Sequence, residues 1–255
     1  MLERKSSFDS EKNLVYGFYP VFEALRSGSR VVKKIIISSG RRDNRIKELI
    51  GLAKERKIPY TSLPTKVFNK KYPVKAMQGI VAELEDQHFV TFDELLDLPK
   101  KRKEAPLFVV LDEVEDPRNF GAILRTAEAG GVHGVLFPSH RSAGFGPSMY
   151  KASAGACEYI PLCKVANIKV YIERFQEAGI SVIGTLTQDA QPYWTMDLTG
   201  PIAFVLGSEE KGLRHTVKQR CDYLTTIPMV GQISSLNVSV AAGILIYEAL
   251  RQRQR

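Results

Sequence analysis

From Pro106 onward the chain repeats one pattern, a nearly unbroken apolar run of three to six residues followed by a stretch with helical spacing. The runs are LFVVL at 107–111, VLF at 135–137, SVIGTL at 181–186, IAFVL at 202–206 and LTTI at 224–227. Strands apolar on both faces need cover on both faces, and helical crossovers supply it, so the pattern calls for an α/β domain built on a parallel sheet. Sheets of this kind place ligands in loops at the carboxyl ends of their strands. Chemistry is therefore to be sought at 112–119, 207–214 and 228–237.

The first 87 residues differ in organisation and in charge. Short elements alternate there: a helix over 17–28, a strand at Val31–Ile37, a helix at about 43–57 with Ile46, Leu49, Ile50 and Ala53 on one face, and strands near Pro59–Leu63 and Gly79–Leu84. This reads as a small α/β domain. Residues 1–90 hold 18 Lys plus Arg against 10 Asp plus Glu, and the remainder holds 18 against 18, so the whole surplus of 36 − 28 = +8 lies in the first third. Such an excess suits a polyanion, because each neutralised phosphate releases counterions. Its clusters are Lys33 with Lys34, Arg41 with Arg42 and Arg45, and Lys70 with Lys71 and Lys75. As sequence alone has it, they read equally well as a solvated surface. Residues 88–105, with FDELLDLPKKRKEAP, read as a linker, giving the division 1–87, 88–105 and 106–255.

Several classes are excluded. No run approaches the roughly 18 apolar residues of a membrane span, and the opening MLERKSSFDSEK lacks the apolar centre of an export signal. Cys157, Cys163 and Cys221 form no CxxC pair and no His/Cys ladder, so neither a disulfide framework nor a metal is expected. A soluble, reduced, cytoplasmic chain is the expectation. Gly207 and Gly212 are five apart, but Leu213-Arg214 follow where a phosphate loop needs Lys and then Ser or Thr. A nucleotide hydrolase is a poor fit, and no strand runs into a G-x-G-x-x-G turn.

Three loops carry residues suited to chemistry. LDEVEDPRNFGAILRTAEAGG leaves strand 107–111 and enters a helix at about Asn119, read as its N-cap, with Gly130-Gly131 as the stop. Ile123, Leu124 and Ala127 face the core, while Arg125 shares a stripe with the small Ala122 and Ala129, leaving room for a phosphate in its fork. FVLGSEEKGLRHTV runs from an apolar strand straight into Gly207. TTIPMVGQISSLNVSVAAGILIYEALRQR ends a strand at Ile227-Pro228 and leads through Ser234-Ser235 into a helix that Val240, Ala241, Ile244, Leu245 and Leu250 make mostly buried. Asn237, near its start, is an N-cap or a ligand contact, capping being the commoner role.

Taken in order, NFGAILRTAEA, KASAGA at 151–156, LGSEEKGL, and IPM with SSLNVSVAAGILIYEA resemble the SpoU family of RNA ribose 2′-O-methyltransferases, within the SPOUT superfamily, from about Leu111 to Tyr247. YGFYPVFEAL and MQGIVAEL are similar to the ribosomal-protein-like RNA-binding domain that precedes the catalytic domain in bacterial 23S rRNA guanosine-2′-O-methyltransferases. Met77 departs from the usual His, which bears on RNA contact, and Glu210 from the usual Gly, which bears on loop conformation.

The resemblance implies a parallel sheet whose C-terminal segment is threaded as a trefoil knot, which sequence physics alone would not propose. It implies S-adenosylmethionine held around Thr185, Leu206, Gly207, Ile227, Met229 and Leu236. It also implies a homodimer in which Arg125 of one subunit lies near the cofactor of the other. Arg125 is expected to hold the phosphate and stabilise developing oxyanion charge, Asn119, Ser235 and Asn237 to orient the ribose, and Glu209 to fix Arg125 by an ion pair. Lys33, Lys34, Arg41, Arg42, Lys70 and Lys71 are the expected RNA contacts. The substrate implied is a guanosine in 23S rRNA or its precursor. Alternatives are a tRNA 2′-O-methyltransferase, a resistance-type enzyme acting on a 23S rRNA adenosine, and a catalytically inactive RNA-binding module.

Overall fold

The computed structural model describes residues 13–41, 43–72 and 78–254, so the expectations placed on Arg42, Lys75 and Met77 lie outside the described residues. The chain forms two compact units, one from residues up to His88 together with Gly144–Tyr159, the other from Phe89–Ala143 and Ile160–Arg255. In the first, β1 (Leu14–Tyr16), α1 (Phe18–Ser27), β2 (Val32–Ser38), α2 (Asn44–Glu55), β3 (Tyr60–Leu63), α3 (Thr65–Lys71) and β4 (Ile80–Leu84) follow in order. Their sheet runs β1-β4-β2-β3, with β2 and β3 parallel and the other pairs antiparallel. Ile46, Leu49 and Ala53 are the buried stripe of α2, as their spacing requires, and Asp43 caps the helix by accepting from the Ile46 N–H at 3.2 Å.

The chain continues with α4 (Phe92–Arg102), β5 (Leu107–Leu111), α5 (Pro117–Ala129), β6 (Gly134–Pro138), α6 (Pro147–Ser153), β7 (Leu162–Val165), α7 (Ile168–Glu177), β8 (Ser181–Leu186), β9 (Gln191–Pro192), β10 (Ile202–Leu206), α8 (His215–Lys218), β11 (Tyr223–Thr226) and α9 (Val238–Arg253). The sheet order is β7-β6-β5-β10-β8-β11-β9, and every neighbouring pair is parallel. All five residues of β5, β6 and β10 are buried, which is the two-sided burial that the unbroken apolar runs require. From β11, near one edge, the chain returns to pack α9 against α5. There a Cβ on Gly130 would lie 2.3 Å from Ile246 Cγ2, so glycine allows the close helix approach. Among the described residues no helix is long and apolar enough to cross a membrane, and no cluster of three or more His, Cys, Asp or Glu could hold a metal ion.

The structure corrects two readings of local order. The segment taken as a linker is α4, started by a capping box in which Thr91 and Glu94 satisfy each other's backbone N–H groups. Its Leu95 and Phe92 are buried, and Phe92 packs edge-on against Phe175 at 4.8 Å. Burial of these two side chains holds the helix despite Pro99 in its last turns. In α9 the buried residues are Val238, Ala242, Leu245, Ile246 and Ala249, whereas Val240 and Tyr247 are about half exposed.

Residues 144–159 lie in the chain between the motif-bearing loops of the second unit but pack with the first unit. Glu158 accepts from Arg30 Nε at 3.0 Å, from Arg30 Nη2 and from the Ser29 hydroxyl at 2.8 Å, and Arg30 Nη1 donates to the Tyr150 hydroxyl at 3.1 Å. Both charged side chains are 1% exposed. Burial alone would lower the Arg30 pKa, but the hydrogen bond and charge of Glu158 outweigh it and raise it, so the guanidinium stays charged. A buried pair is costly to break because one partner is left uncompensated.

Candidate active site

The carboxyl ends of β8, β10 and β11 and the N-terminal turn of α9 surround a cavity of about 530 Å³ in the second unit. Each contribution follows from the strands. β10 ends at Leu206 and turns at Gly207 into a tight hairpin, in which Gly212 N–H donates to the Ser208 carbonyl at 2.9 Å and Ser208 N–H to the Gly212 carbonyl at 3.2 Å. Gly212 has a φ of +63, and a Cβ on Gly207 would stand 2.2 Å from the Gly212 carbonyl carbon and 2.3 Å from Leu213 N. The hairpin can fold back on itself only because residue 207 has no side chain. Glu210, where the resemblance leads one to expect glycine, has no positive φ and so carries no backbone strain of that kind.

All six residues expected to cup the cofactor, Thr185, Leu206, Gly207, Ile227, Met229 and Leu236, line this cavity, as do Glu209 and Ser235. Thr185 Oγ1 donates back to the Val205 carbonyl at 3.0 Å, tying β8 to β10 at the pocket floor. Thr226 also lines the cavity, and its buried Oγ1 has no hydrogen-bond partner. A buried hydroxyl without a partner is costly unless a ligand or water completes it.

Beside the pocket, Asn119, Glu209 and Asn237 form one hydrogen-bonded chain. Asn119 Nδ2 donates to Glu209 Oε1, and Asn237 Nδ2 donates to Asn119 Oδ1 at 3.0 Å. Asn237 also caps α9, accepting from Ser239 N–H at 2.9 Å, which is the capping role expected of it. Asn119 is not the N-cap of α5. That place belongs to Asp116, which accepts from Arg118 N–H at 2.8 Å with Pro117 at the first helical position. The Arg118 side-chain hydrogen bond holds the Asp116 carboxyl below its usual pKa. One turn into the helix, Asn119 instead links two loops.

Arg125 stands farther along α5, exposed, outside the cavity lining and without an ion pair among the described residues. Within one chain Glu209 is bonded to Asn119, and the expected ion pair with Arg125 is not formed there. On the first unit, Lys34 pairs with Glu83 at 2.8 Å, Arg41 with Asp43 at 2.6 Å, and Lys71 Nζ lies 5.6 Å over the Tyr72 ring. Lys33 and Lys70 are exposed. The expected RNA contacts thus lie in part on neutralised charges.

A second clamp was not read from the sequence. Asp112, fully buried at the end of β5, accepts from Arg214 N–H at 3.1 Å, from Nε at 2.7 Å and from Nη2 at 2.6 Å. Glu113 adds a contact to Arg214 Nη1 at 3.4 Å. The loops 112–119 and 207–214 are therefore joined at both ends, by Asp112–Arg214 at one and by Asn119–Glu209 at the other. Asp112→Ala should lower stability in urea by about 1–3 kcal/mol, the cost of orphaned donors, tempered because Arg214 is 37% exposed. Calorimetry should show weakened cofactor binding alongside it, and wild-type values for both would remove the clamp from the account.

Both parts of the chain resemble known proteins. Residues 106–247 match the SpoU rRNA Methylase family, and residues 14–90 match the RNA 2′-O ribose methyltransferase substrate binding family. The chain is 38% identical over 245 residues to the 23S rRNA (guanosine-2′-O-)-methyltransferase RlmB of Pseudomonas putida, covering 96% of this chain and 98% of that one. It is similar to the crystal structure of the SpoU methyltransferase AviRb from Streptomyces viridochromogenes in complex with the cofactor AdoMet. The TM-score there is 0.80 at 27% identity, covering 99% of this chain and 94% of that one. The TrmH/SpoU tRNA modifying enzyme of A. aeolicus aligns with a TM-score of 0.54 at 30% identity, over 64% of this chain and 82% of that one.

Proposed function

The chain belongs to the SpoU rRNA Methylase family, and on that premise we propose that it transfers a methyl group from S-adenosylmethionine to the ribose 2′-hydroxyl of a guanosine in 23S rRNA. The observation that carries this reading is the convergence of Thr185, Leu206, Gly207, Ile227, Met229 and Leu236 on one cavity. A volume of about 530 Å³ suits a cofactor of this size, and the unpartnered Thr226 hydroxyl is a group that a polar ligand would satisfy. S-adenosylmethionine supplies a methyl already activated by a sulfonium. What the protein must add is alignment of the incoming hydroxyl, and proximity alone can contribute several kcal/mol.

The residues divide that task. The Gly207–Gly212 hairpin and Ile227–Met229 hold the cofactor through backbone at strand ends. Asn119, locked by Glu209 and Asn237, presents a fixed carboxamide beside the cavity, and Ser235 offers a hydroxyl, so both can orient the ribose. Arg125 holds the neighbouring phosphate and stabilises the charge that grows on the attacking oxygen. It acts there by charge and geometry, and the proton of the hydroxyl passes to solvent water. Because Arg125 does not line its own chain's cavity, it is assigned to the pocket of the partner subunit in a homodimer. The exposed Val240 and Tyr247 of α9 are apolar surface available to that contact. Threading of the C-terminal segment into a trefoil knot belongs to the same reading, supported by the return of α9 from β11 to α5.

The choice of 23S rRNA over tRNA rests on extent, since the likeness to the P. putida enzyme spans nearly the whole chain and the likeness to the tRNA enzyme about two thirds of it. The basic first unit is then the part that grips RNA. Purified protein given S-adenosylmethionine labelled in its methyl group should label unmodified 23S rRNA and leave tRNA unlabelled. Labelling of tRNA alone would transfer the assignment to the alternative substrate.

A further inference from the structure

The first unit carries a second concavity, of about 490 Å³, lined by Ser38, Gly40, Arg41, Arg45, Thr65, Asn69, Gln78 and Gly79. It lies where the carboxyl end of β2 meets the start of α2 and one side of α3. Its walls are built rather than incidental. Arg41 donates from Nε and Nη2 to Asp43 at 3.1 and 2.6 Å and from Nη1 to the Gln78 carbonyl, so its guanidinium is fixed and largely neutralised. Gln78 and Gly79 both have positive φ, at +49 and +69, and Ser38 and Thr65 hydroxyls are 3.0 Å apart.

Two lining groups remain uncommitted. Arg45 has no ion pair among the described residues, and its guanidinium carbon stands 5.7 Å from the Phe18 ring centre and 5.5 Å from that of Tyr19. The rings brace an unpaired, planar cation that also borders the cavity. Asn69 is exposed and its carboxamide has no partner among the described residues, leaving both donor and acceptor free. Unstacked RNA bases are received on aromatic or arginine planes and read along their edges by such polar groups.

We propose that this concavity receives one unpaired nucleotide of the RNA substrate, with the base stacked on Arg45 and its edge read by Asn69. The proposal rests on the reading of the chain as an RNA methyltransferase and deepens it, giving the first unit a nucleotide-sized site in place of a diffuse basic surface. Neither residue was singled out among the expected RNA contacts, whose only described member at this site, Arg41, serves as its wall.

The test measures binding of the full-length protein to a 23S rRNA transcript across a salt series, for the wild type, Arg45→Lys and Asn69→Ala. Both positions are exposed, so folding is not at stake. Lysine keeps the charge and loses the plane, so Arg45→Lys should weaken binding about 5- to 30-fold, the worth of one stacked base, with the salt slope unchanged. Asn69→Ala should weaken it by a similar factor. In methylation assays the loss should fall on KM for RNA. Wild-type affinity in either Arg45→Lys or Asn69→Ala would overturn the proposal. Should the wild type fail to methylate 23S rRNA, the functional reading fails, while the binding comparison still judges the site.

Discussion

Arg125→Ala should reduce methyl transfer by about 10²- to 10³-fold in kcat, the usual loss when a group aimed at developing negative charge is removed. Arg125 is exposed and lines no part of its own cavity, so S-adenosylmethionine affinity should stay within about threefold and stability within about 0.5 kcal/mol. Arg125→Lys should recover little, because an ammonium cannot reproduce a two-pronged hold on phosphate. Calorimetry with the cofactor and single-turnover methylation of 23S rRNA read the two effects separately. A fully active Arg125→Ala would withdraw the residue from the chemistry.

Gly207→Ala should abolish cofactor binding. A methyl group here meets the carbonyl carbon and oxygen of Gly212 at 2.2 and 2.4 Å and Leu213 N at 2.3 Å, all backbone atoms that no rotamer change can move. The hairpin must open by an ångström or more, which costs about 1–3 kcal/mol of overpacking and displaces the backbone that cups the ligand. Gly200→Ala, where a Cβ meets nothing within 4 Å, is the matched control and should bind normally. Retained S-adenosylmethionine affinity in Gly207→Ala would place the cofactor elsewhere.

The two variants together test the assignment of Arg125 to the partner subunit. Each alone is inactive, but random re-pairing gives half of the dimers one intact pocket facing one intact Arg125, so an equal mixture should regain about a quarter of wild-type activity. Action within one chain leaves the mixture inactive.

Much of the second unit was legible because its strands announce themselves: Leu107–Leu111 and Ile202–Leu206 are buried on both faces, and no helix of that length would carry such unbroken apolar runs. The pocket residues were legible only through motif order, since Thr185, Leu206 and Leu236 are brought together by the sheet and by nothing local. Helix α4 went unread because a proline and a basic run masked it, although Thr91 and Glu94 spell out a capping box. Asp116-Pro117 likewise signalled the start of α5 ahead of Asn119. The membership of residues 144–159 in the first unit had no sequence signal at all: Arg30 and Glu158 are 128 positions apart, and each alone reads as a surface charge. A truncation at residue 87 would therefore strip residues 144–159 of the segment they pack against, Arg30 included, and it is not a neutral way to remove RNA binding. The fate of Asp112 has the same origin, because a carboxylate after a strand becomes a clamp only once Arg214 reaches it.

The most direct test of the central claim is a map of ribose 2′-O-methylation across total RNA from cells with and without this protein. The account requires one methylated guanosine in 23S rRNA to disappear and every tRNA mark to persist. An unchanged 23S rRNA map, with a methyl group missing from tRNA instead, would contradict it.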